Sequence, residues 1–326
     1  MELGRQNFFV PVELIHHPEE DRIAEAHADW LIQTGLLPKD RAEHFVESHR
    51  MGEFGSLLWP FTRFPDVVWA SNGNGWGFLL EEVFEGPHQL EGQARQDFVT
   101  SLVDVIWGRK ADSSVWETAV QQCVAASNEG MSARWADLHR ENWCSYVRGY
   151  LAEARHRDAG GDLGFEDTRA LRRQSLGAAP AMDFVECLAR REIPWHIRQL
   201  PELTLYFTYT LELSLFANDL MSLRREREMG DVNNTVMAYR KEHGCDWDTA
   251  MRYVVDLFNA RGHDVLDLEA EILRMPEVRK LSAAQGADVR AYLIALRQLP
   301  YGYLEWHFIT GRYDDSGLFY VTERMV

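Results

Sequence analysis

The chain contains no stretch near the ~18 uninterrupted apolar residues of a membrane span, and its first residues lack a basic-then-apolar leader. The expectation is therefore a cytoplasmic protein. Cysteine is scarce: the four residues Cys123, Cys144, Cys187 and Cys245 lie far apart, with no C-x-x-C pair. That spacing excludes a disulfide framework and a zinc site, and reads as reduced thiols. Positive charge is also short, with 34 Lys and Arg against 51 Asp and Glu and a net charge of -17. That balance argues against nucleic acid or an anionic membrane surface as partner. An anionic small molecule would need local compensation from cations or from a few placed arginines. Internal repeats, low-complexity segments, Pro/Gly/Ser linkers and runs of alternating β-branched residues are missing as well.

What remains is helical. The 326 residues are 46% hydrophobic and 12% aromatic, enough for one substantial core or two small ones. Trp135, Leu138, Trp143, Tyr146, Val147, Tyr150, Leu151 and Ala154 follow a 3.6-residue period, as do Val289, Tyr292, Leu293 and Leu296. Prolines at 38, 60, 65, 87, 180, 194, 201, 276 and 300 fall where helices should end or bend. Asp158 to Asp167 and Ala178 to Pro180 read as loops rather than domain boundaries. The expectation is one all-α domain over residues 1–326.

One stretch organises the rest. Asn218, Ser222 and Glu226 recur at i, i+4 and i+8, and each step of four advances only ~40° around a helix, so they share a face. All three offer oxygen, the ligand set of a hard cation such as magnesium. A lone Asn or Ser on a helix is most often a solvated surface residue. Here the same face runs back through Leu215, Ser214, Leu211 and Phe207. A stripe that is apolar and then turns polar at one end suits a helix lining a cavity with a charged mouth.

A second cluster lies earlier. Trp76, Leu79, Leu80, Val83 and Phe84 form an apolar stripe, opposite which sit Phe78, Glu81, Glu85 and, at the edge, Glu82. A solvated acidic face is the bland reading. Against it, Gly86-Pro87 follows at once. The carboxylates then occupy the last helical turn, where the macrodipole disfavours acids by ~0.3–1 kcal/mol each. Glu81 and Glu85 also repel at i,i+4. A bound divalent cation would offset both costs.

Asn-Asp-x-x-Ser-x-x-x-Glu, with Arg225 before the Glu and Gly230-Asp231 after it, resembles the second metal motif of bacterial class I terpene synthases. Arg240-Lys241-Glu242-His243-Gly244-Cys245 resembles the stretch that follows it there. Trp76, Phe78, Glu81, Glu82 and Glu85 match the positions of that family's first motif, with every Asp replaced by Glu. Each Glu adds one methylene between helix and metal, a departure that bears on how well Mg²⁺ is held. Upstream of the second motif, Arg172-Arg173 followed by Gly177 resembles the family's diphosphate-sensing Arg and its effector Gly. The spacing to Gly177 favours Arg173 over its neighbour Arg172. Trp306 with Arg312-Tyr313 resembles the C-terminal Trp and Arg-Tyr pair.

The resemblance implies a single helical bundle around a deep central cavity, and Mg²⁺-dependent ionisation and cyclisation of farnesyl or geranylgeranyl diphosphate. It implies Glu81, Glu82 and Glu85 facing Asn218, Ser222 and Glu226 as metal ligands. Arg173, Arg225, Arg312 and Tyr313 would donate to the diphosphate, and Phe78, Phe207, Leu211 and Trp306, with the effector Gly177, would make up the substrate-binding set. Phe216, Trp143 and Tyr146 are expected to be ordinary core. The final proton would leave to the diphosphate, since no dedicated base stands out. The one protein partner in view is a second copy of the chain, as a homodimer. Two rivals remain at this stage. One is a chain-elongating prenyltransferase, disfavoured because that family uses two Asp-rich motifs. The other is a non-catalytic isoprenoid-binding protein of the same fold.

Overall fold

The computed structural model describes residues 1–313 and 319–325. Helices follow one another as α1 (Glu20–Gln33), α2 (Lys39–Ser48), α3 (Met51–Leu58), α4 (Asp66–Glu85), α5 (Gly92–Ile106), α6 (Val115–Asn128), α7 (Ala133–Asp158) and α8 (Phe165–Ser175). The second half holds α9 (Ala178–Ala189), α10 (Trp195–Arg198), α11 (Pro201–Met229), α12 (Thr235–His243), α13 (Trp247–Ile272), α14 (Pro276–Arg279) and α15 (Ala283–Ile309). No strand occurs among the described residues. No described helix is long and apolar enough to cross a membrane.

Local chemistry sets the helix ends. Ser114, Ser132, Asn234, Asp246 and Ser282 each accept a backbone N–H of the following first turn, satisfying donors that have no partner within the helix. Pro201 and Pro276 open α11 and α14, where a missing N–H costs nothing. Gly230 closes α11 in the left-handed region at φ 77°, a conformation open to glycine without a side-chain clash.

The all-α expectation holds, with three local corrections. Ala178 to Pro180 is the first turn of α9 rather than a loop, because a proline is tolerated where its N–H would have no partner. Phe165 to Asp167, at the end of the expected 158–167 loop, is the first turn of α8. And α15 continues through Pro300. One missing N–H is a small loss in a helix held on both sides by α11 and α3.

The architecture is a bundle in which α11 is the central member. Its middle, from Thr210 to Ala217, is buried on every side, and α13, α15, α9 and α8 pack around it. The buried apolar cluster extends from Phe8 to Val321. Between α3, α4, α7, α8, α9, α11 and α15 the bundle does not close. It leaves a cavity of about 1330 Å³, its open mouth included.

Candidate active site

The cavity faces of α4 and α11 carry the two clusters read from the sequence. On α4, Gly73, Asn74, Gly77, Phe78, Glu81 and Glu85 line it, and on α11 Ser214, Asn218, Ser222, Arg225 and Glu226 do. Glu85 is the last residue of α4, and Glu226 lies in the last turn of α11. Two helix C-termini, each with negative partial charge, thus converge on one mouth.

Guanidinium groups hold the carboxylates there. The Glu81 carboxylate accepts from Arg312 at 2.8 Å and from Arg225 at 3.4 Å. Glu85 takes Arg157 at 3.4 Å, and the same guanidinium reaches Asp231 at 2.9 Å and the Phe84 carbonyl at 3.0 Å. Burial, then Asp231 and Glu81, hold Glu85 well above the ordinary carboxylate range, with Arg157 opposing. On α11 the Ser222 hydroxyl lies 2.7 Å from Glu226 Oε1, and Asn234 donates to Glu226 Oε2 at 2.7 Å. Burial pushes Glu226 up to about 8, with Arg172 opposing and Asp219 and Asp231 adding to the rise.

These donors suit a hard divalent cation. They are oxygens throughout, Glu85 and Glu226 sit at two helix C-termini, and burial with neighbouring acids raises both of those carboxyl groups. Among the described residues, no group of three or more His, Cys, Asp or Glu side chains forms a ready metal cage. The α11 donor set is one carboxylate with a hydroxyl and an amide. A cation there would be held partly by groups outside the protein, which is how Mg²⁺ is commonly bound.

Glu82 requires a correction. It is 4% exposed and turned away from the cavity, where its Oε2 accepts the backbone N–H groups of Tyr320 and Val321 at 2.7 and 2.6 Å. Burial pushes it up to about 7 against those two amides. The reason is helical geometry: adjacent residues diverge by ~100°, so Glu82 meets the C-terminal segment behind α4 instead of the mouth.

The arginine pair is a second correction. Arg172 lines the cavity. It donates to Asn218 Oδ1 at 2.7 Å, Asp219 Oδ1 at 2.9 and 3.0 Å and Glu153 Oε1 at 3.0 Å. Arg173 is absent from the lining. It bonds through Nε, at 2.9 Å, to Glu212, a buried carboxylate of α11 that also takes Arg261 at 2.6 Å. The same angular step that turns Glu82 away selects Arg172 over Arg173.

At the C-terminal side, Arg312 lies over the Phe78 ring at 4.5 Å, and its Nη1 is 3.1 Å from His49 Nε2. The Tyr313 hydroxyl is 2.9 Å from His307 Nδ1, and both Arg312 and Tyr313 line the cavity. Trp306 does not. It is fully buried, donates its indole N–H to the His49 carbonyl at 2.7 Å and stacks behind Phe78 at 5.4 Å. It supports the wall and does not form it.

Phe207 and Leu211 are also displaced. They share the face of Asn218, but the α11 lining begins at Ser214. Pro180, Ala181 and Phe184 of α9 and Leu299 of α15 close the floor. Gly177 lines the cavity at φ 76°, and a Cβ there would meet the Tyr146 ring at 2.9 Å.

Trp143 and Tyr146, read as core, are wall residues, together with Tyr150, Tyr303 and Phe184. Trp143, Tyr146 and Tyr150 lie on the apolar stripe of α7 that the sequence displays, but periodicity cannot separate a stripe facing core from one facing a void. Arg157 was missed because a basic residue in a last helical turn ordinarily satisfies the helix dipole. Phe216 is core, as expected.

The sequence model of the family described as terpene synthase family 2, C-terminal metal binding, matches residues 74–264, more than half of the chain. The pristinol synthase of Streptomyces pristinaespiralis is 26% identical over 95% of this chain and 85% of its own length. A (-)-beta-caryophyllene synthase of Saccharothrix espanaensis, described as cyclising (2E,6E)-farnesyl diphosphate, is 24% identical over 95% of this chain and 89% of its own. The crystal structure of germacradien-4-ol synthase from Streptomyces citricolor superposes with a TM-score of 0.84 at 23% identity, covering 93% of this chain and 98% of that one. This last likeness shows the fold.

Proposed function

The chain belongs to the terpene synthase family, enzymes that cyclise prenyl diphosphates, and from that premise we propose farnesyl diphosphate as its substrate and Mg²⁺ as its divalent metal. The observation that carries the reading is the two-sided mouth. Oxygen donors on α4 and α11 and the guanidinium groups of Arg172, Arg225 and Arg312 surround the entrance of one aromatic-walled cavity. The caryophyllene synthase relative, which cyclises farnesyl diphosphate, supports the choice of chain length.

Glu81 and Glu85 on one side, and Asn218, Ser222 and Glu226 on the other, are the residues that would hold the metal. When bound, a divalent cation supplies Lewis-acid charge to the departing diphosphate. Arg172, Arg225, Arg312 and Tyr313 donate to the diphosphate oxygens, with Arg157 beside them at the mouth. Guanidinium suits this work because it stays charged and presents a planar fork. Arg312 and Arg225 are drawn to Glu81 in this structure, so they turn from carboxylate to diphosphate as substrate enters. Phe78, Trp143, Tyr146 and Phe184 line the cavity, where a ring face turned to the allylic cation is worth on the order of 2 kcal/mol when desolvated. The closed floor excludes water that would quench the cation early. Burial raises the Tyr146 and Tyr150 hydroxyls above their ordinary range, so both stay protonated and neither offers a phenolate to take up the proton. The proton therefore leaves to the diphosphate.

We read residues 1–326 as one domain, supported by the continuity of the buried cluster. The four free thiols suit a reducing, cytoplasmic setting. A second copy of the chain is the partner to test by sedimentation equilibrium.

The deciding experiment supplies C10, C15 and C20 prenyl diphosphates in parallel, with and without Mg²⁺, and follows diphosphate release and extracted hydrocarbons by mass spectrometry. Cyclic C15 products that require Mg²⁺ are expected. Cyclic products from the C20 substrate alone would overturn the farnesyl assignment. Lengthened products on adding isopentenyl diphosphate would point to the chain-elongating rival.

A further inference from the structure

The deep end of the cavity holds a chain of hydrogen bonds that diphosphate chemistry does not use. Trp143 on α7 donates its indole N–H to His139 Nε2 at 2.9 Å, and His139 Nδ1 lies 2.9 Å from Asp183 Oδ2 on α9. Asn142 donates to the same Asp183 oxygen at 2.8 Å. All three members of the Trp-His-Asp chain are at most 2% exposed. An indole N–H can only donate, so His139 must present its Nε2 lone pair and carry its proton on Nδ1, which it gives to the carboxylate. The chain therefore has one polarity, from carboxylate through imidazole to indole.

Its outer end is a cavity wall. Trp143 and Phe184 both line the cavity over Gly73. A Cβ at residue 73 would stand 3.3 Å from the Trp143 six-membered ring and 3.1 Å from the tip of Phe184. Glycine at that position lets the α4 backbone lie close against the two rings, both of which still reach the cavity. Trp143 lies ~21 Å along α7 from Arg157 at the mouth, at 1.5 Å per residue. It is a wall for the far end of a bound chain, remote from the diphosphate.

We propose that Asp183, acting through His139, polarises the Trp143 indole and makes its face the place where positive charge comes to rest late in cyclisation. A carboxylate that strengthens the pull on the indole proton leaves more electron density on the ring. The attraction of a cation to that face rises with it. Trp143 touches the hydrocarbon, whereas His139 and Asp183 are positioning residues. The inference rests on reading the cavity as the site of carbocation cyclisation.

The test separates charge from shape. Two ligands are compared by calorimetry in the presence of Mg²⁺ and inorganic diphosphate: a farnesyl-length tertiary amine, protonated at neutral pH, and its uncharged carbon isostere. Asp183→Asn is expected to weaken the ammonium about two- to fivefold and to leave the isostere unchanged. In a Trp143→Phe background, which lacks the indole N–H, Asp183→Asn should change neither ligand. Equal loss for both ligands would show a packing role and overturn the proposal. So would an ammonium-specific loss that persists without the indole.

Should Asp183→Asn fail to fold by circular dichroism, fluorinated tryptophans placed at residue 143 of the otherwise unaltered protein give a second measurement. Ammonium affinity should fall with each added fluorine while the isostere holds, and a flat series overturns the proposal. Unaltered protein that releases no diphosphate from any prenyl substrate would overturn the parent reading and the relay with it. Normal turnover with unchanged ammonium binding in Asp183→Asn overturns the relay alone.

Discussion

The Glu81 carboxylate lies 2.8 Å from the Arg312 guanidinium across the cavity mouth, joining the last turn of α4 to the segment after α15. The contact places a candidate metal ligand and a candidate diphosphate donor in each other's hands. Glu81→Asp would withdraw the carboxylate by about one C–C bond, on a metal that prefers oxygen at ~2.0–2.1 Å. Although this restores the residue type of the family motif, diphosphate release should fall and require more Mg²⁺. A gain in turnover or in Mg²⁺ affinity would show the site is not tuned to Glu.

Arg172 and Arg173 should separate cleanly. Arg172→Lys keeps the charge but loses the fork that spans Asn218, Asp219 and Glu153. A drop in kcat/KM of about 10- to 100-fold is expected, the worth of one or two charge-assisted hydrogen bonds. Arg173→Lys, paired with Glu212 outside the cavity, should stay within about threefold, as ordinary for a partly exposed ion pair. Steady-state kinetics of the two variants decide the matter, and the reverse ranking would restore the neighbour.

Removing the Glu82 side chain should act on the C-terminal segment. Glu82→Ala leaves the Tyr320 and Val321 amides without their acceptor, at a cost of about 1–3 kcal/mol. Hydrogen exchange at those two amides should quicken, while the Mg²⁺ dependence of diphosphate release stays within about twofold of the unaltered enzyme. An Mg²⁺ dependence shifted as far as in Glu81→Asp would return Glu82 to the metal site.

His27 gives the protein an acid-side weakness. Burial lowers it to about 4, with only the Asn72 hydrogen bond opposing, and Nε2 has no partner among the described residues. The unfolded chain takes up this proton near pH 6.5 and the folded one only near 4, so between them the unfolded state binds more protons. Stability should therefore fall as pH drops from about 6.5 and level off near 4. Urea midpoints across that range, compared with His27→Gln, report the contribution. A His27 ring that titrates near 6.5 by NMR would remove it.

The sequence by itself determined the helical class, the two donor rows and their directions. Those properties depend on period and residue type: Asn218, Ser222 and Glu226 share a face in any α-helix, and Glu81 and Glu85 do likewise. Cap chemistry at Ser132, Asn234 and Ser282 is local in the same way. Depth and partnership belonged to the tertiary structure alone. Where α9 and α15 close the floor decides that Ser214 lines the cavity and Leu211 does not. Where the C-terminal segment passes decides that Glu82 binds two amides. Which neighbour of the Arg pair meets Asp219 rests on how α8 is rotated against α11. That rotation is set by packing between residues distant in the chain. For the same reason the stripe of Trp143, Tyr146 and Tyr150 could announce burial but not the void it faces.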